Sequence, residues 1–219
     1  MATSSPFFAL RSIAAPRLPN APFEYDARYQ DQLLNVLRLY FNQLDNFILA
    51  LQRDVGGAAL NFPYGAFSST ADQTAAAANT AYVMTFNTTD YANGVIVASS
   101  SRLTAQYAGI YNLQWSGQFE NTSNAIQDIR VWLKINGTAV TGSTGLISIP
   151  ARKSASAGEE AHEIYGWNYF VSLNATDYVE LWWQATSTAV SIQHYAAGAN
   201  YPSTASVIAT LQFVSNLQT

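Results

Sequence analysis

The stretch from Tyr25 to Arg53 constrains this chain more than any other, because its apolar residues repeat with a period that gathers them on one face of a helix. Leu33, Leu37, Tyr40, Leu44, Phe47 and Leu51 succeed one another at alternating steps of four and three, the heptad spacing of an apolar seam. Leu34, Phe41 and Ile48 form a second line beside the first, one every seven residues. This face is wider than a two-stranded seam needs, so the pattern predicts three or more helices together, or a helix also covered by something else. Leu39 and Leu49 fall off the seam and would be exposed in a free coiled coil. Asp26 is placed to cap the first turn, because its carboxylate can accept from open backbone N–H groups, and Gly56-Gly57 supplies a stop. About three heptads are marginal alone, since helix nucleation is costly. Self-association supported by the C-terminal domain is the expected outcome; the alternative is a core helix lying on its own sheet.

Beyond the helix the apolar period changes. Residues 56–81 read as a connection rich in Gly, Ala, Ser and Thr, with Asn61, Pro63 and Gly65 as turn formers. From Tyr82 onward the period is two, the signature of strands. In Ile110 to Phe119, Tyr111, Leu113, Trp115 and Phe119 alternate with Asn112, Gln114, Ser116 and Gln118, which gives a core face and a polar face. Ile129, Val131, Leu133 and Ile135 alternate likewise with Arg130, Trp132 and Lys134, and Asn136-Gly137 then offers the two positive φ angles of a type I′ hairpin turn. Further strands are expected at 82–86, 95–97, 102–107, 146–149, 167–173, 178–184, 188–194 and 206–214, with a polar loop over 151–163. About ten short strands without a helical pattern among them indicate a sandwich or jelly roll. The chain is therefore expected to be mainly β. An extended arm (1–24) and one trimerising helix (25–55) lead through the connection (56–81) into a β-sandwich knob (82–219). Trp132, Trp182, Tyr178 and Phe170 fall on faces opposite the core residues, a sign that a neighbouring subunit covers one sheet.

The arm carries Pro6, Pro16, Pro19 and Pro22, which exclude a regular helix. Phe7, Phe8, Leu10, Ile13, Leu18 and Phe23 are interleaved with them. Each large apolar side chain left in water forgoes about 1.5–3 kcal/mol of burial, so the arm is expected to anchor on a partner or to fold back on its own domain. Charged residues are 11% of the chain, well below the roughly 25% of an average soluble protein, and small neutral polar residues replace them. Such a surface suits a protein packed into an assembly, or one exposed to a harsh outside. The formal net charge is −4 and only two lysines occur, Lys134 and Lys153, so no basic patch is available to neutralise nucleic-acid phosphates. There are no cysteines, hence no disulfide or thiolate metal site. No stretch approaches the roughly 20 apolar residues of a membrane span. Phe7 to Leu10 are apolar, but no basic segment precedes them and Arg11 interrupts the run, unlike a secretory signal.

The chemistry-bearing residues form no catalytic motif: there is no Gly-x-Ser-x-Gly elbow, phosphate loop or His-Glu-x-x-His. His162 lies among Glu159, Glu160 and Glu163, a cluster that reads as a solvated acidic loop tip. His194 alternates with Ile192 and Val190 and reads as a structural histidine. Asp90 and Asp177 are candidate calcium ligands, one carboxylate at a time, and no resident cofactor is expected. Asn87, Asn121, Asn136 and Asn174 each open an Asn-x-Ser/Thr triplet, read most simply as Thr-rich turns. Trp167, Tyr195 and Tyr201 are candidates for ligand-facing aromatics in loops, because an aromatic face can lie against a sugar ring. An enzyme acting on polysaccharide would need paired carboxylates, and no pair stands out.

Several short motifs in order resemble the C1q/TNF-like jelly rolls over roughly residues 65–215. They are Gly65-Ala66-Phe67-Ser68, Ala108-Gly109-Ile110-Tyr111, Val131 to Gly137, Ala175 to Leu181, and a closing strand from Ala205 to Val214. Thr210-Leu211-Gln212-Phe213 keeps only part of the family's Gly- and Phe-rich closing motif. The resemblance implies a tight homotrimer, often grown from a trimeric stalk, and some such knobs bind calcium. Arg17 to Asp26, together with the helix after it, is similar to the start of structural proteins of tailed bacteriophages. That similarity implies attachment to other virion proteins, capsid or tail, and assembly in the host cytoplasm without membrane insertion. The expected function is a non-enzymatic virion protein, either a capsid decoration or a head fibre. The alternative is a tail-fibre adhesin whose knob binds a host-surface glycan or protein.

Overall fold

In a computed structural model, residues 15–20, 22–52, 62–154, 156 and 159–217 are described. Two compact units divide the chain, residues 1–61 and 62–219. The first contains α1 (Ala27–Gln52), 26 residues long and so about 39 Å at the usual rise per residue. Asp26 caps it: the Arg28 N–H donates to its Oδ1 at 2.8 Å, satisfying one of the donors that a helix start leaves open. Gly56-Gly57 lies outside the described residues.

The second unit is mainly β and consists of two antiparallel sheets. Its strands are β1 (Tyr64–Ser69), β2 (Gln73–Thr74), β3 (Tyr82–Val83), β4 (Thr88–Asn93), β5 (Val95–Ala98), β6 (Arg102–Ala105) and β7 (Gly109–Asn121), then β8 (Gln127–Ile135), β9 (Thr138–Ala139), β10 (Gly145–Ile149), β11 (Ala161–Leu173), β12 (Tyr178–Ala185), β13 (Val190–Ile192) and β14 (Val207–Ser215). Sheet I runs β2-β13-β7-β14-β1-β4, with β11 also paired to β7. Sheet II runs β10-β8-β12-β6-β5, with β9 beside β8 and β3 beside β12.

The core fills the space between the sheets and arises from the period-two pattern. On β7, Tyr111, Leu113, Trp115 and Phe119 are buried, while the residues with polar side chains between them face outward. Val131 and Leu133 of β8 and Leu181 and Trp183 of β12 meet them from sheet II. The Tyr111 hydroxyl donates to the Tyr107 carbonyl at 2.7 Å, so its burial leaves no open donor.

Strand limits depart from the sequence expectation where apolar side chains are sparse. The stretch 56–81, expected to be a connection, contains β1, inserted between β14 and β4. A single large inward residue, Phe67, marks it. β4 is an edge strand with no buried residue, so it carries no apolar alternation. The polar loop expected at 151–163 ends earlier, because β11 begins at Ala161 and pairs with β7 along its whole length. Ala161 and Leu173, at its two ends, are both buried.

The turns are held by the asparagines of the Asn-x-Ser/Thr triplets. Asn136 (φ 49°) and Gly137 (φ 81°) form the β8–β9 turn, as the Asn-Gly pair predicts. Asn136 also donates through Nδ2 to Asp177 Oδ1 at 2.7 Å, and Asp177 Oδ2 accepts from the Asn174 N–H at 2.8 Å. Asn121 is fully buried, and its Nδ2 donates to the carbonyls of Ala125 and Pro150 at 2.9 and 2.8 Å. Asn87 Oδ1 accepts from the Thr70 N–H at 3.0 Å.

The hydrogen bonds from Asn174 and Asn136 hold the Asp177 carboxyl below its ordinary value of 3.8. A depressed carboxyl contributes stability that is present above the unfolded pKa and is lost as the pH falls through the folded one. Asp177→Ala should therefore lower the melting temperature at pH 7, and the gap to the wild type should close as the pH is taken below about 3.8, the unfolded value. Melting curves at pH 7, 4 and 2 test this, and a gap independent of pH would refute it.

Candidate functional site

α1 presents its seam as the heptad spacing requires. Leu33, Leu37, Tyr40, Leu44 and Phe47 are half-buried, whereas Leu34 (61%), Phe41 (57%) and Ile48 (47%) beside them are exposed. Leu39 and Leu49, off the seam, are exposed as well. Leu51 belongs to the last turn, and its side chain lies outside the described residues. Among the described residues, α1 is the one regular element of its unit. A helix with apolar groups over this much of its circumference is one that packs against something. Of the arm residues, Phe7, Phe8, Leu10 and Ile13 lie outside the described residues. Leu18 and Phe23 are described and exposed.

The outward face of sheet I is built from registered rows. Phe170, Asn112, Gln212 and Tyr64 stand side by side across β11, β7, β14 and β1. Asn168, Gln114, Thr210, Ala66 and Tyr91 form the next row and end on β4. Gly166, Ser116, Ile208 and Ser68 make the third. No charged side chain interrupts these rows, and Phe170, Ile208, Tyr64 and Tyr91 are exposed within them. Ile164 and Ile208 flank a shallow depression of about 170 Å³, with Ser116, Gly117 and Gln118 as its floor and Thr204 and Ala205 at its side.

Charge enters this face at one end, through a three-residue cluster. Glu120 of β7 and His162 of β11 are register partners, and Tyr195, beyond β13, lies against both. The Tyr195 hydroxyl donates to Glu120 Oε2 at 2.6 Å and lies 2.9 Å from His162 Nδ1. A phenol has one proton, so with that proton on the Glu120 bond the His162 Nδ1–H donates to the phenol oxygen. The imidazole meets the Tyr195 ring edge-on, with centroids 5.4 Å apart. Burial and the neighbouring Glu120 carboxylate raise the Tyr195 phenol well above the ordinary tyrosine value. His162 therefore sits in a strand and holds Tyr195, which corrects the expectation of a solvated loop tip. The spacing from 120 to 162 to 195 hides this cluster from a reading of the sequence.

The other aromatic candidates are placed differently from one another. Trp167 lies in β11, not in a loop; it is half-exposed, stacked on Tyr169, and seated over Gly145, where a Cβ would overlap its ring. Tyr201 remains in a loop and exposed, and its carbonyl accepts from the Gly198 N–H at 3.0 Å. Tyr195 is half-buried and committed to Glu120, so it does not offer a free face. His194 donates its N–H to Asp72 Oδ1 at 2.8 Å, and its Nδ1 contacts the Thr204 carbonyl, a structural role. The two calcium candidates fall on different sheets, Asp90 on β4 and Asp177 at the start of β12, and Asp177 is engaged by Asn136 and Asn174. Among the described residues no three His, Cys, Asp or Glu side chains converge on a metal position, and no helix is long and apolar enough to cross a membrane.

No protein-family model and no curated protein sequence matches the chain.

A phenol whose pKa is raised on folding contributes stability that is present below the unfolded value, near 10, and lost as the pH rises through the folded one. Tyr195→Phe should cost about 1–2 kcal/mol at pH 7. It should also make unfolding less steeply dependent on pH above 10. Denaturant titrations of both proteins at pH 7 and pH 10.5 test this; equal pH dependence would show that the hydroxyl is not held as described.

Proposed function

We propose that this chain is a non-enzymatic structural protein of a bacteriophage virion. In this reading it forms a homotrimer through α1, attaches through residues 1–24, and projects a C1q/TNF-like jelly-roll knob as a capsid decoration or head fibre. The observation that carries the proposal is the broad apolar face of α1, with Leu34, Phe41 and Ile48 exposed beside a half-buried seam, in the segment before a β-sandwich. Leu33, Leu37, Tyr40, Leu44 and Phe47 occupy the two seam positions of a heptad, and Leu34, Phe41 and Ile48 add a third line, the width expected of three helices rather than two.

The sandwich supports the same reading in two ways. Its first and last strands, β1 and β14, pair, and the chain passes repeatedly from one sheet to the other, an arrangement that a double-sheet jelly roll also has. The outward face of sheet I carries exposed Phe170, Ile208, Tyr64 and Tyr91 among neutral polar residues, the composition of a face that another subunit covers. Assembly is then the mechanism: apolar surface on α1 and on sheet I is buried among three chains, and the arm takes its own apolar residues to the particle.

Light scattering of the purified full chain should give about three times the 23.8 kDa of one chain. Leu37→Asp/Leu44→Asp places a charge in the seam and should weaken the trimer. A stable monomer from the unmodified chain would overturn the proposal. Removal of residues 1–24 should leave the trimer intact and abolish co-sedimentation with capsids; unchanged co-sedimentation would remove the anchoring role of the arm.

A further inference from the structure

The two sheets differ in the cations that their strands carry. No strand of sheet I contains a lysine or arginine. Sheet II contains Arg102 on β6 and Arg130 and Lys134 on β8, and all three point outward. The alternation decides this: Leu103, Ile129, Val131 and Leu133, their neighbours along the strands, are buried. The chain is acidic as a whole, so the gathering of strand-borne cations on one face is a local reversal of sign.

Aromatic rings occupy the same face. Trp132 of β8 and Trp182 of β12 are direct register partners, and Tyr178 lies on the same side of β12 as Trp182. The Lys134 ammonium sits 3.5 Å from the centroid of the Trp182 ring, and the Arg102 guanidinium 4.5 Å from that of Tyr178. These contacts hold Lys134 and Arg102 against rings rather than free in solvent.

Two acidic residues share this face, and both are already engaged: Asp128 of β8 accepts from the Ser148 hydroxyl at 2.7 Å, and Glu180 of β12 is held by three donors. Glu180 is only 7% exposed. It accepts from the Ser101 hydroxyl at 2.9 Å and from Trp182 Nε1 at 3.1 Å, and pairs with Arg102 Nε at 3.4 Å. Its bond to the indole fixes the orientation of Trp182. Arg130 faces Gln184 on one side and exposed Leu146 on the other, and it forms no ion pair with a described residue. Arg130, Trp132 and Lys134 alternate along β8, so the charged and aromatic groups span about 13 Å at the usual strand rise.

We infer that the outward face of sheet II binds a glycan bearing carboxylate or phosphate groups. The indole of Trp132 takes the C–H face of a sugar ring, and Arg130 and Lys134, the latter seated on Trp182, take the anionic substituents. A guanidinium and an ammonium on one strand suit this ligand, because arginine grips a carboxylate or phosphate with two parallel N–H bonds and lysine acts as a point charge. Aromatic stacking alone would accept any sugar; the cations select acidic ones. This inference goes beyond the assembly role and does not depend on the oligomeric state. A trimer without glycan binding would refute it alone, and a glycan-binding monomer would refute the assembly proposal alone.

The test is binding of the full chain to immobilised polygalacturonate, to a glycerol-phosphate polymer and to neutral dextran, at low and high salt. Retention on one or both anionic polymers, and not on dextran, is expected; which of the two is preferred identifies carboxylate or phosphate as the recognised group. Arg130→Gln/Lys134→Gln should weaken that binding at least tenfold while leaving the melting temperature close to the wild type. Arg152→Gln/Lys153→Gln removes the same charge off sheet II and should leave binding unchanged. The inference fails if neither anionic polymer binds, if dextran binds equally, or if the two double variants lose binding to the same extent.

Discussion

The pairing of β7 with β11 is the constraint on which the rest of the β unit depends. Both strands are 13 residues long and pair from Gly109–Leu173 to Asn121–Ala161. The other edge of β7 receives β14 and β13. β7 therefore has backbone partners on both sides and sends Tyr111, Leu113, Trp115 and Phe119 into the core. Because side chains alternate strictly along a strand, a slip of one residue in this pairing would turn the apolar set to the outside. The apolar row fixes the register, and the register sets which residues stand beside one another on the outward face.

That outward face and its counterpart on sheet II differ in the chemistry they display. Sheet I shows neutral amides, hydroxyls and scattered large apolar groups, with Glu120, His162 and Tyr195 tied together at one end. Sheet II shows two tryptophans, a tyrosine and three cations, with Glu180 enclosed by its donors and Asp128 bonded to Ser148. Both faces descend from the same alternation, and each position opposite a core residue is free to carry chemistry. The proposed division of labour, assembly on one side and recognition of acidic glycans on the other, rests on which residues fill those positions.

The elements legible in the sequence are those whose period coincides with their burial. The seam of α1, the alternation of β7 and β8 and the Asn136-Gly137 turn announce themselves because a helix, a half-buried strand and a tight hairpin each impose one spacing. β1 and β4 do not. β1 has Phe67 as its one large inward side chain, and β4 has no buried residue; each is held by backbone hydrogen bonds to its neighbours in the sheet. The first half of β11 is obscured for the same reason, since Glu163 and Gly166 carry no apolar signal while the ladder to β7 continues through them.

The sequence by itself determined the helix, its cap and the width of its apolar seam, the mainly β character of the C-terminal unit, and the alternation that separates core from surface in the longest strands. These are local properties, governed by residues a few positions apart. Tertiary structure alone decided what required distant residues to meet. It brought Tyr195 to Glu120 and His162, seated Trp167 over Gly145 and closed Ser101 and Arg102 around Glu180. It also placed Trp132 beside Trp182 with Lys134 against the ring. Strand order and register create those neighbours, and neither is a periodicity that a linear chain displays.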